Sequence, residues 1–286
     1  MKIVRFQDAS GGRIQAAQQP DGSYRRVEGN LTDGFRAAAE TVLPGKLIAP
    51  IEPSCAWCVG QNYKAHAAEA GFQVPEHPVI FAKGINAVQN PGDAIVLPAG
   101  GYSSEVDYEC ELVVVIGKAC KNVKRTEALN YVAGYTCGND VSARDWQLKR
   151  GGSQWSRGKS FDTFAPIGPC LVTRDELADP SGLRIQTVLN GRVMQDANTR
   201  DMIFDVPVLI EFLSRSTTLL PGTLIFTGTP QGVGMAQRPP RWLRPGDEVS
   251  VVIERIGTLT NPVREEQNET AGVAGDRQRS EERVVQ

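Results

Sequence analysis

The chain lacks the sequence features of a membrane protein and of a nucleic-acid-binding protein. Nowhere among its 286 residues do eighteen apolar residues run together, whereas a membrane-spanning helix needs about 20. The 31 lysines and arginines are balanced by 33 aspartates and glutamates, so no basic surface is expected for nucleic acid or an acidic membrane. The N-terminus has no apolar core of a signal peptide. We therefore expect a cytoplasmic protein whose partner is a small molecule.

Cysteine chemistry is not indicated either. Of the six cysteines, only Cys55 and Cys58 have the spacing of a metal or redox motif. They have no second cysteine pair and no Cys–His partner at zinc-finger distance, and the residues that follow do not form a thioredoxin-like pattern. The other four lie in or beside apolar segments, where reduced and buried thiols are expected. These are Cys110, Cys120, Cys137 and Cys170.

The regular patterns along the chain predict an α+β structure that is mainly β. With 41% hydrophobic and 22% charged residues, the chain has enough apolar side chains for a full core. Short apolar runs bounded by turn residues predict strands rather than alternating βα units. Helical patterns are fewer. Strands are predicted near 79–83, 94–97, 108–116, 185–190, 223–227 and 248–253, and helices near 35–42, 62–70, 124–129 and 206–215.

The composition changes twice along the chain. Residues 1–52 combine short strand patterns with one helical pattern and end in a proline-rich connection, which predicts a small N-terminal α/β domain. Residues 53–262 contain most of the predicted strands and form the expected main domain. Residues 263–286 are rich in Glu, Arg, Gln, Gly and Ser, a composition typical of a disordered tail.

Three acidic residues are the most informative feature. Glu109 and Glu111 begin an apolar run, and Asp140 follows in the next β pattern. Side chains at i and i+2 of a strand share one face, so the two glutamates converge while Cys110 and Leu112 turn away. Like charges held together are unfavourable without a cation, and an all-oxygen donor set suits Mg²⁺, Mn²⁺ or Ca²⁺. In the alternative, one glutamate faces solvent and the other pairs with an arginine.

A second cluster contains one of only two histidines in the chain. Asn62 is placed to cap a short helix and Gly71 to end it. His66 and Glu69 are then three residues apart on one helical face. A carboxylate beside an imidazole fixes the tautomer and raises the basicity that a general base needs. The alternative is a surface histidine with a nearby carboxylate.

Two further segments contain candidate polar groups. Lys159 lies among glycine, serine, aromatic residues and proline, where an ammonium can stabilise an oxyanion. An ion pair with Asp162 or Asp145 is the structural alternative. Residues 224–234 pass from a strand into a glycine-rich loop that can offer backbone N–H groups and the Thr229 hydroxyl to a carboxylate.

Together, these segments resemble the fumarylacetoacetate hydrolase family. Six ordered motifs carry the resemblance, and they cover about residues 55–260. The motifs are G-Q-N-Y-K-A-H-A-A-E, V-D-Y-E-C-E-L-V-V-V-I-G-K, A-G-Y-T-C-G-N-D-V-S-A-R-D-W-Q, G-K-S-F-D-T-F-A-P-I-G-P, L-N-G-R-V-M-Q-D-A-N-T-R-D-M-I-F and I-F-T-G-T-P-Q-G-V-G. The resemblance implies a mixed, rolled β-structure as the catalytic domain, a small variable N-terminal domain and a homodimer.

The resemblance also implies a metal centre and a catalytic dyad. Glu109, Glu111 and Asp140 match the metal ligands of the family, with Mg²⁺ as the usual ion and Mn²⁺ or Ca²⁺ as alternatives. His66 and Glu69 match a dyad on a short helix that closes over the substrate.

The remaining matches concern substrate binding. Lys159 matches the active-site lysine, Arg144 and Gln147 match polar residues that follow the metal-binding aspartate, and Thr229 matches the threonine of the substrate-binding loop. The chain departs from the F-x-K-P pattern of many relatives, because Gly84 follows Lys83. The departure alters the pocket wall beside Lys83, for which the resemblance implies a role in substrate binding.

The function expected from the resemblance is metal-dependent hydrolysis of a C–C bond in an acylpyruvate or 2,4-diketo acid. In this scheme the His66–Glu69 dyad activates water, and Lys159 with the metal stabilises the enolate. Decarboxylation of oxaloacetate or isomerisation of a 2-hydroxymuconate-type intermediate is the alternative, since both pass through the same kind of enolate.

Overall fold

The computed structural model describes residues 1–69, 71 and 73–267. Strands dominate this part of the chain. Their bounds are β1 (Lys2–Gln7), β2 (Arg13–Gln18), β3 (Tyr24–Asn30), β4 (Gly34–Thr41), β5 (Lys46–Ile48), β6 (Cys55–Gly60), β7 (Val79–Lys83), β8 (Val88–Gln89), β9 (Ile95–Leu97), β10 (Val106–Asp107), β11 (Cys110–Ile116), β12 (Val132–Asn139), β13 (Ser142–Ala143), β14 (Ala165–Thr173), β15 (Arg184–Leu189), β16 (Arg192–Asn198), β17 (Thr223–Phe226), β18 (Glu248–Ile253) and β19 (Gly257–Glu265).

The helices in the described residues are short, and none is long and apolar enough to cross a membrane. The α-helices are α1 (Lys64–Glu69), α2 (Ser156–Lys159) and α3 (Val206–Ser214). Residues Asp145–Arg150 form a π-helix, and Ile85–Ala87, Arg125–Tyr131, Thr199–Asp201 and Gly234–Ala236 form 3₁₀-helices.

The strands form two large mixed sheets, which confirms the mainly β class. The first runs in the order β4-β3-β2-β1-β14-β12-β11-β17-β6-β7, with β5 added on β1 and β8 on β14. The second runs β16-β15-β18-β19-β9, and β10 pairs with β13. Most pairs are antiparallel, whereas β17 and β6 are parallel.

The core on both faces of strand β11 holds the backbone that carries Glu109 and Glu111. Strand β11 is fully buried and lies between β12 and β17 in the first sheet. Leu112 and Val114 pack in one apolar cluster with Val251 of the second sheet, while Val113 packs in a second cluster with Phe226. The alternation of the strand thus separates two faces, as the spacing of the glutamates predicts.

Two predicted elements need correction. The helix predicted over 35–42 is wrong, because Gly34–Thr41 is strand β4 and pairs with β3. The hairpin pairing overrides the helical preference of its alanines, and residues 1–52 contain strands without a helix, so the α component expected there is wrong. The predicted tail also begins too early, since β19 continues to Glu265 beside β9. Most of the predicted tail, from residue 268 onwards, lies outside the described residues.

The domain boundary at residue 52 stays a prediction. Strand β1 pairs with β14, so the N-terminal strands continue the large sheet rather than form a separate one.

Candidate active site

Three carboxylates meet at the start of β11. Each of Glu109, Glu111 and Asp140 offers an oxygen atom, and these atoms lie within 4.8 Å of one another. Strand β11 pairs with β12 so that Cys110 lies opposite Asn139, and this register brings Asp140 next to the two glutamates. The backbone N–H of Asp140 donates to the carbonyl oxygen of Glu109 at 2.9 Å. All three side chains are buried, so neither glutamate faces solvent.

Basic side chains compensate two of the three charges. Lys159 Nζ lies 2.7 Å from Glu109 Oε2 and 2.8 Å from Asp140 Oδ2. The alternative, an ion pair of Lys159 with Asp162 or Asp145, is therefore wrong. Lys83 Nζ lies 2.5 Å from Asp140 Oδ1, and Arg144 Nη1 lies 2.7 Å from Glu109 Oε1. Burial disfavours the Glu109 carboxylate, but Lys159 and Arg144 outweigh it and hold its pKa at about 2.

Glu111 is the carboxylate without a basic partner among the described residues. Its Oε2 accepts a hydrogen bond from the backbone N–H of Gly228 at 2.7 Å. Burial, and then the charges of Asp140 and Glu109, raise the pKa of Glu111 well above its ordinary value. A divalent cation would supply the missing positive charge, and three carboxylate oxygens are the hard donors that such a cation prefers. The residues present therefore fit the expected metal.

The glycine that replaces the proline of the F-x-K-P pattern leaves Lys83 in place. Gly84 has φ −64°, which is the value that a proline ring enforces. Its backbone N–H donates to Ser160 Oγ at 2.9 Å, a bond that proline lacks. Lys83 stays buried against Asp140. It therefore supports a carboxylate of the cluster and is not among the residues that line the cavity described below.

His66 and Glu69 lie on helix α1 and contact each other. His66 Nδ1 lies 2.9 Å from Glu69 Oε1, and both carboxylate oxygens of Glu69 lie 3.0 Å from the backbone nitrogen of Gly232. Only 7% of His66 is exposed, so the alternative of a surface histidine is wrong. The contact with Gly232 joins α1 to the glycine-rich loop and holds the carboxylate beside the imidazole.

The expected helix cap is wrong in one respect. The Asn62 amide does not cap α1; it donates to the carbonyl oxygens of Phe204 and Thr227 and accepts from the Phe204 N–H. These long-range bonds satisfy both ends of a fully buried side chain. Gly71, with φ 75°, has the left-handed conformation of a helix-ending residue.

The other predicted polar residues differ in whether they have a hydrogen-bond donor available for a substrate. Arg144 Nη1 donates to Gln147 Oε1 at 2.9 Å, which leaves the Gln147 NH₂ group for another partner. The Thr229 hydroxyl donates to the Cys110 carbonyl oxygen at 3.0 Å and accepts from the Gln195 amide at 2.9 Å. Its single donor is thus used within the protein, contrary to the expected donation to a substrate carboxylate.

Sequence reasoning missed two buried polar residues behind the site. The Asp107 carboxylate accepts from Arg144 Nε at 2.9 Å and from the backbone N–H groups of Gly234 and Met235. Gln195 holds the Cys110 N–H and the Thr229 hydroxyl. Asp107 had one available signal, since it precedes Glu109 in the same acidic motif.

Residues of the carboxylate cluster, helix α1 and the neighbouring loops enclose one small cavity of about 30 Å³. Side chains from several elements form the wall of this cavity. Helix α1 supplies His66 to this wall, together with β-strand and loop residues. The lining residues are Val59, Gly60, Gln61, His66, Phe81, Glu109, Glu111, Arg144, Gln147, Leu148, Trp155, Lys159, Thr229 and Met235.

Comparison with known proteins identifies the family. The model of the fumarylacetoacetate hydrolase C-terminal domain matches residues 55–264. The chain belongs to the fumarylacetoacetate hydrolase family. It is 50% identical over 217 residues to the mitochondrial oxaloacetate tautomerase of Bos taurus, covering 76% of this chain and 68% of that protein. It is 48% identical over 231 residues to the corresponding mitochondrial tautomerase of Homo sapiens, covering 79% of this chain and 73% of that protein.

Solved structures of the fumarylacetoacetate hydrolase family agree with the fold. A 5-carboxymethyl-2-hydroxymuconate delta-isomerase from Mycobacterium smegmatis has a TM-score of 0.80 and 39% identity and covers 93% of this chain and 100% of its own. A 2-hydroxyhepta-2,4-diene-1,7-dioate isomerase from Mycobacterium marinum has a TM-score of 0.79 and 39% identity and covers 94% of this chain and 100% of its own.

These relatives overturn the expected C–C bond hydrolysis. They are named as a tautomerase and as isomerases, which move a proton within a substrate, so the assignment as a hydrolase of acylpyruvates or diketo acids is wrong. The error has a chemical reason, because the resemblance implied an enolate for hydrolysis and for isomerisation alike. The motifs record the groups that stabilise the enolate rather than the fate of the substrate.

Proposed function

We propose that this protein is an isomerase that transfers a proton in a 2-oxo dicarboxylate, with keto–enol tautomerisation of oxaloacetate as the representative reaction. The observation that carries the proposal is one cavity lined by two members of the three-carboxylate cluster, Glu109 and Glu111, together with a histidine held by a carboxylate and a lysine. None of the lining residues in the described chain is serine or cysteine. The histidine, the lysine and the carboxylates are groups suited to proton transfer and charge stabilisation.

The metal is part of this proposal. Glu109, Glu111 and Asp140 would hold Mg²⁺, with Mn²⁺ or Ca²⁺ as the other ions that match an all-oxygen donor set. A bound divalent ion supplies Lewis acidity that favours the enolate form of a 2-oxo acid.

The chain's own residues supply the proton transfer. His66, oriented through Nδ1 by Glu69, accepts the proton from C3 of the oxo acid. The C–H electron pair becomes the C2–C3 double bond, and the carbonyl π electrons move onto the C2 oxygen. Lys159 has three N–H donors and uses two on Glu109 and Asp140, so the third is available to this oxygen. The imidazolium then gives its proton to the C2 oxygen, which forms the enol; in the reverse direction His66 takes the enol O–H proton and delivers it to C3.

Assembly and location remain part of the proposal. We expect a homodimer, as the resemblance implies, and a small oxo-carboxylate as the sole kind of partner. Several relatives are named as mitochondrial proteins, so the cytoplasmic location stays a prediction for this chain.

A direct assay tests the proposed function. Purified protein with Mg²⁺ should accelerate the keto–enol interconversion of oxaloacetate, followed by ultraviolet absorbance of the enol, by at least a hundredfold over buffer with Mg²⁺ alone. Excess EDTA should remove the acceleration, and added Mg²⁺ should restore it. Pyruvate formation in the same samples reports decarboxylation. Pyruvate release without faster keto–enol interconversion would show that the protein is a decarboxylase and not a tautomerase. No acceleration of either reaction would refute the proposal.

A further inference from the structure

Gln61 lines the cavity in a backbone conformation that glycine adopts more readily. It joins the end of β6 to helix α1 and has φ 57°, the left-handed region that is unfavourable for residues with a Cβ atom. Its side chain is half-buried and belongs to the cavity lining. A side chain kept at a strained position beside a reaction site suggests that the side chain itself has a use.

The neighbours of Gln61 explain the conformation. A Cβ atom on Gly60 would lie 2.3 Å from the Trp155 ring, so the strand end is packed against that ring. On the other side, the Asn62 amide is fixed to the backbone of Phe204 and Thr227. With both neighbours fixed, the chain turns at residue 61, and the turn leaves the Gln61 side chain at the cavity.

Sheet geometry gives the distance between Gln61 and the carboxylates. Strand β17 lies between β11 and β6, and its Phe226 pairs with both Val113 and Cys58. Gln61 therefore lies close to the level of Glu111, two strand spacings away, and the two backbones are about 10 Å apart. A four-carbon acid bound at the carboxylate cluster and lying along this gap would direct its second carboxylate toward Gln61.

The charged donors in the cavity contact buried carboxylates, and the one N–H of Lys159 that remains is assigned to the C2 oxygen of the substrate. Lys159 contacts Glu109 and Asp140, and Arg144 contacts Asp107 and Glu109. No hydrogen bond joins the Gln61 amide to another group in the described part of the chain. Its NH₂ group is thus an uncommitted amide donor in the cavity lining, as is that of Gln147, and the Gln61 backbone lies about 10 Å from that of Glu111.

We propose that Gln61 determines specificity by donating a hydrogen bond to the second carboxylate of the substrate, the one remote from the 2-oxo acid group. This inference rests on the proposed function. An amide donor to a carboxylate selects dicarboxylates without placing another cation in the cavity. It favours them over otherwise similar oxo acids that end in an apolar group.

The test compares ligands with and without the remote carboxylate. Gln61→Leu should lower kcat/KM for oxaloacetate tautomerisation about tenfold to a hundredfold, the range for one lost hydrogen bond to a charged group, mainly through KM. The inhibition constant of oxalate, which lacks the remote carboxylate, should change less than twofold. Gln61→Glu should cause a larger loss with oxaloacetate, because its charge repels the carboxylate.

A glycine variant separates substrate binding from a structural role. Gln61→Gly should raise the melting temperature by relieving the strained φ, yet lose activity as Gln61→Leu does. Ser216→Gly is the matched control, since Ser216 also has φ 57° but is exposed and outside the cavity. It should gain stability with unchanged kinetics.

The outcomes distinguish this inference from the proposed function. If wild-type protein leaves oxaloacetate unchanged, the proposed function fails and the inference fails with it. If wild-type protein is active and Gln61→Gly and Gln61→Leu match it in kcat/KM, only the inference is wrong. An equal loss of oxalate and oxaloacetate binding in these variants would also overturn the inference. Oxalate lacks the remote carboxylate, so an equal loss would mean that Gln61 affects binding at the carboxylate cluster.

Discussion

Replacing Glu111 with glutamine should abolish turnover and at the same time stabilise the metal-free protein. Glu111 is buried beside Asp140 and Glu109 and has no basic partner among the described residues. Without a cation, its charge disfavours the fold, which is why its pKa is raised. Glutamine keeps the shape and an acceptor oxygen for the Gly228 N–H. We expect a loss of at least a thousandfold in kcat with Mg²⁺, comparable to or larger than that of a lost oxyanion donor.

The stability measurement has a defined pH dependence. A raised carboxyl pKa means that the folded state binds the proton more tightly than the unfolded state. The stability of the wild-type protein in EDTA should therefore fall as pH rises from the ordinary value of 4.5 through the raised pKa. Glu111→Gln should lack this contribution and melt at a higher temperature in EDTA at pH 7.

A surface glutamate provides the control for Glu111→Gln. Glu127 is exposed in the 3₁₀-helix Arg125–Tyr131, so Glu127→Gln should leave both kcat and the melting temperature in EDTA unchanged. Mn²⁺ titration by calorimetry should show binding to the wild-type protein and to the control but not to Glu111→Gln. Normal Mn²⁺ binding and turnover in Glu111→Gln would show that the metal centre is assigned to the wrong residues.

His66→Asn and Glu69→Gln should each slow proton transfer at C3 of oxaloacetate by about a hundredfold to ten thousandfold. Asparagine has no basic nitrogen, and Glu69→Gln removes the charge that orients the imidazole while keeping an acceptor for the Gly232 N–H. Because the two residues act as a unit, the double variant should transfer the proton only slightly more slowly than the slower of the two single variants. The measurement is solvent deuterium incorporation at C3 followed by NMR.

The second histidine of the chain is the control for His66→Asn. The His77 side chain is 72% exposed and its Nε2 lies 3.9 Å from the carboxylate of the adjacent Glu76, so it is a histidine–carboxylate pair without the burial of the dyad. His77→Asn should retain wild-type exchange, and His66→Asn should retain Mn²⁺ binding. Wild-type exchange in His66→Asn would assign the base to another residue of the cavity, with Lys159 as the next to test.

The sequence by itself determined the elements of the site that depend on local pattern. The spacing of Glu109 and Glu111 needs only the twofold period of a strand, and the spacing of His66 and Glu69 needs only one helical turn. The ordered motifs determined the family. They did not determine the reaction, since tautomerases and hydrolases use the same enolate-stabilising groups.

The tertiary structure decided every feature that depends on residues distant in sequence. Cross-strand pairing made residues 34–41 a strand, and bonds to Phe204 and Thr227 took Asn62 away from the helix cap. The two carboxylate partners of Lys159, which lies on helix α2, and the buried contacts of Asp107 with Arg144 and Gly234 follow from the packing of segments distant in sequence. The left-handed conformation of Gln61 arises because packing fixes the residue on each side. Local patterns carry no information about such contacts, since the free energy of each is set by neighbours that only the folded chain brings together.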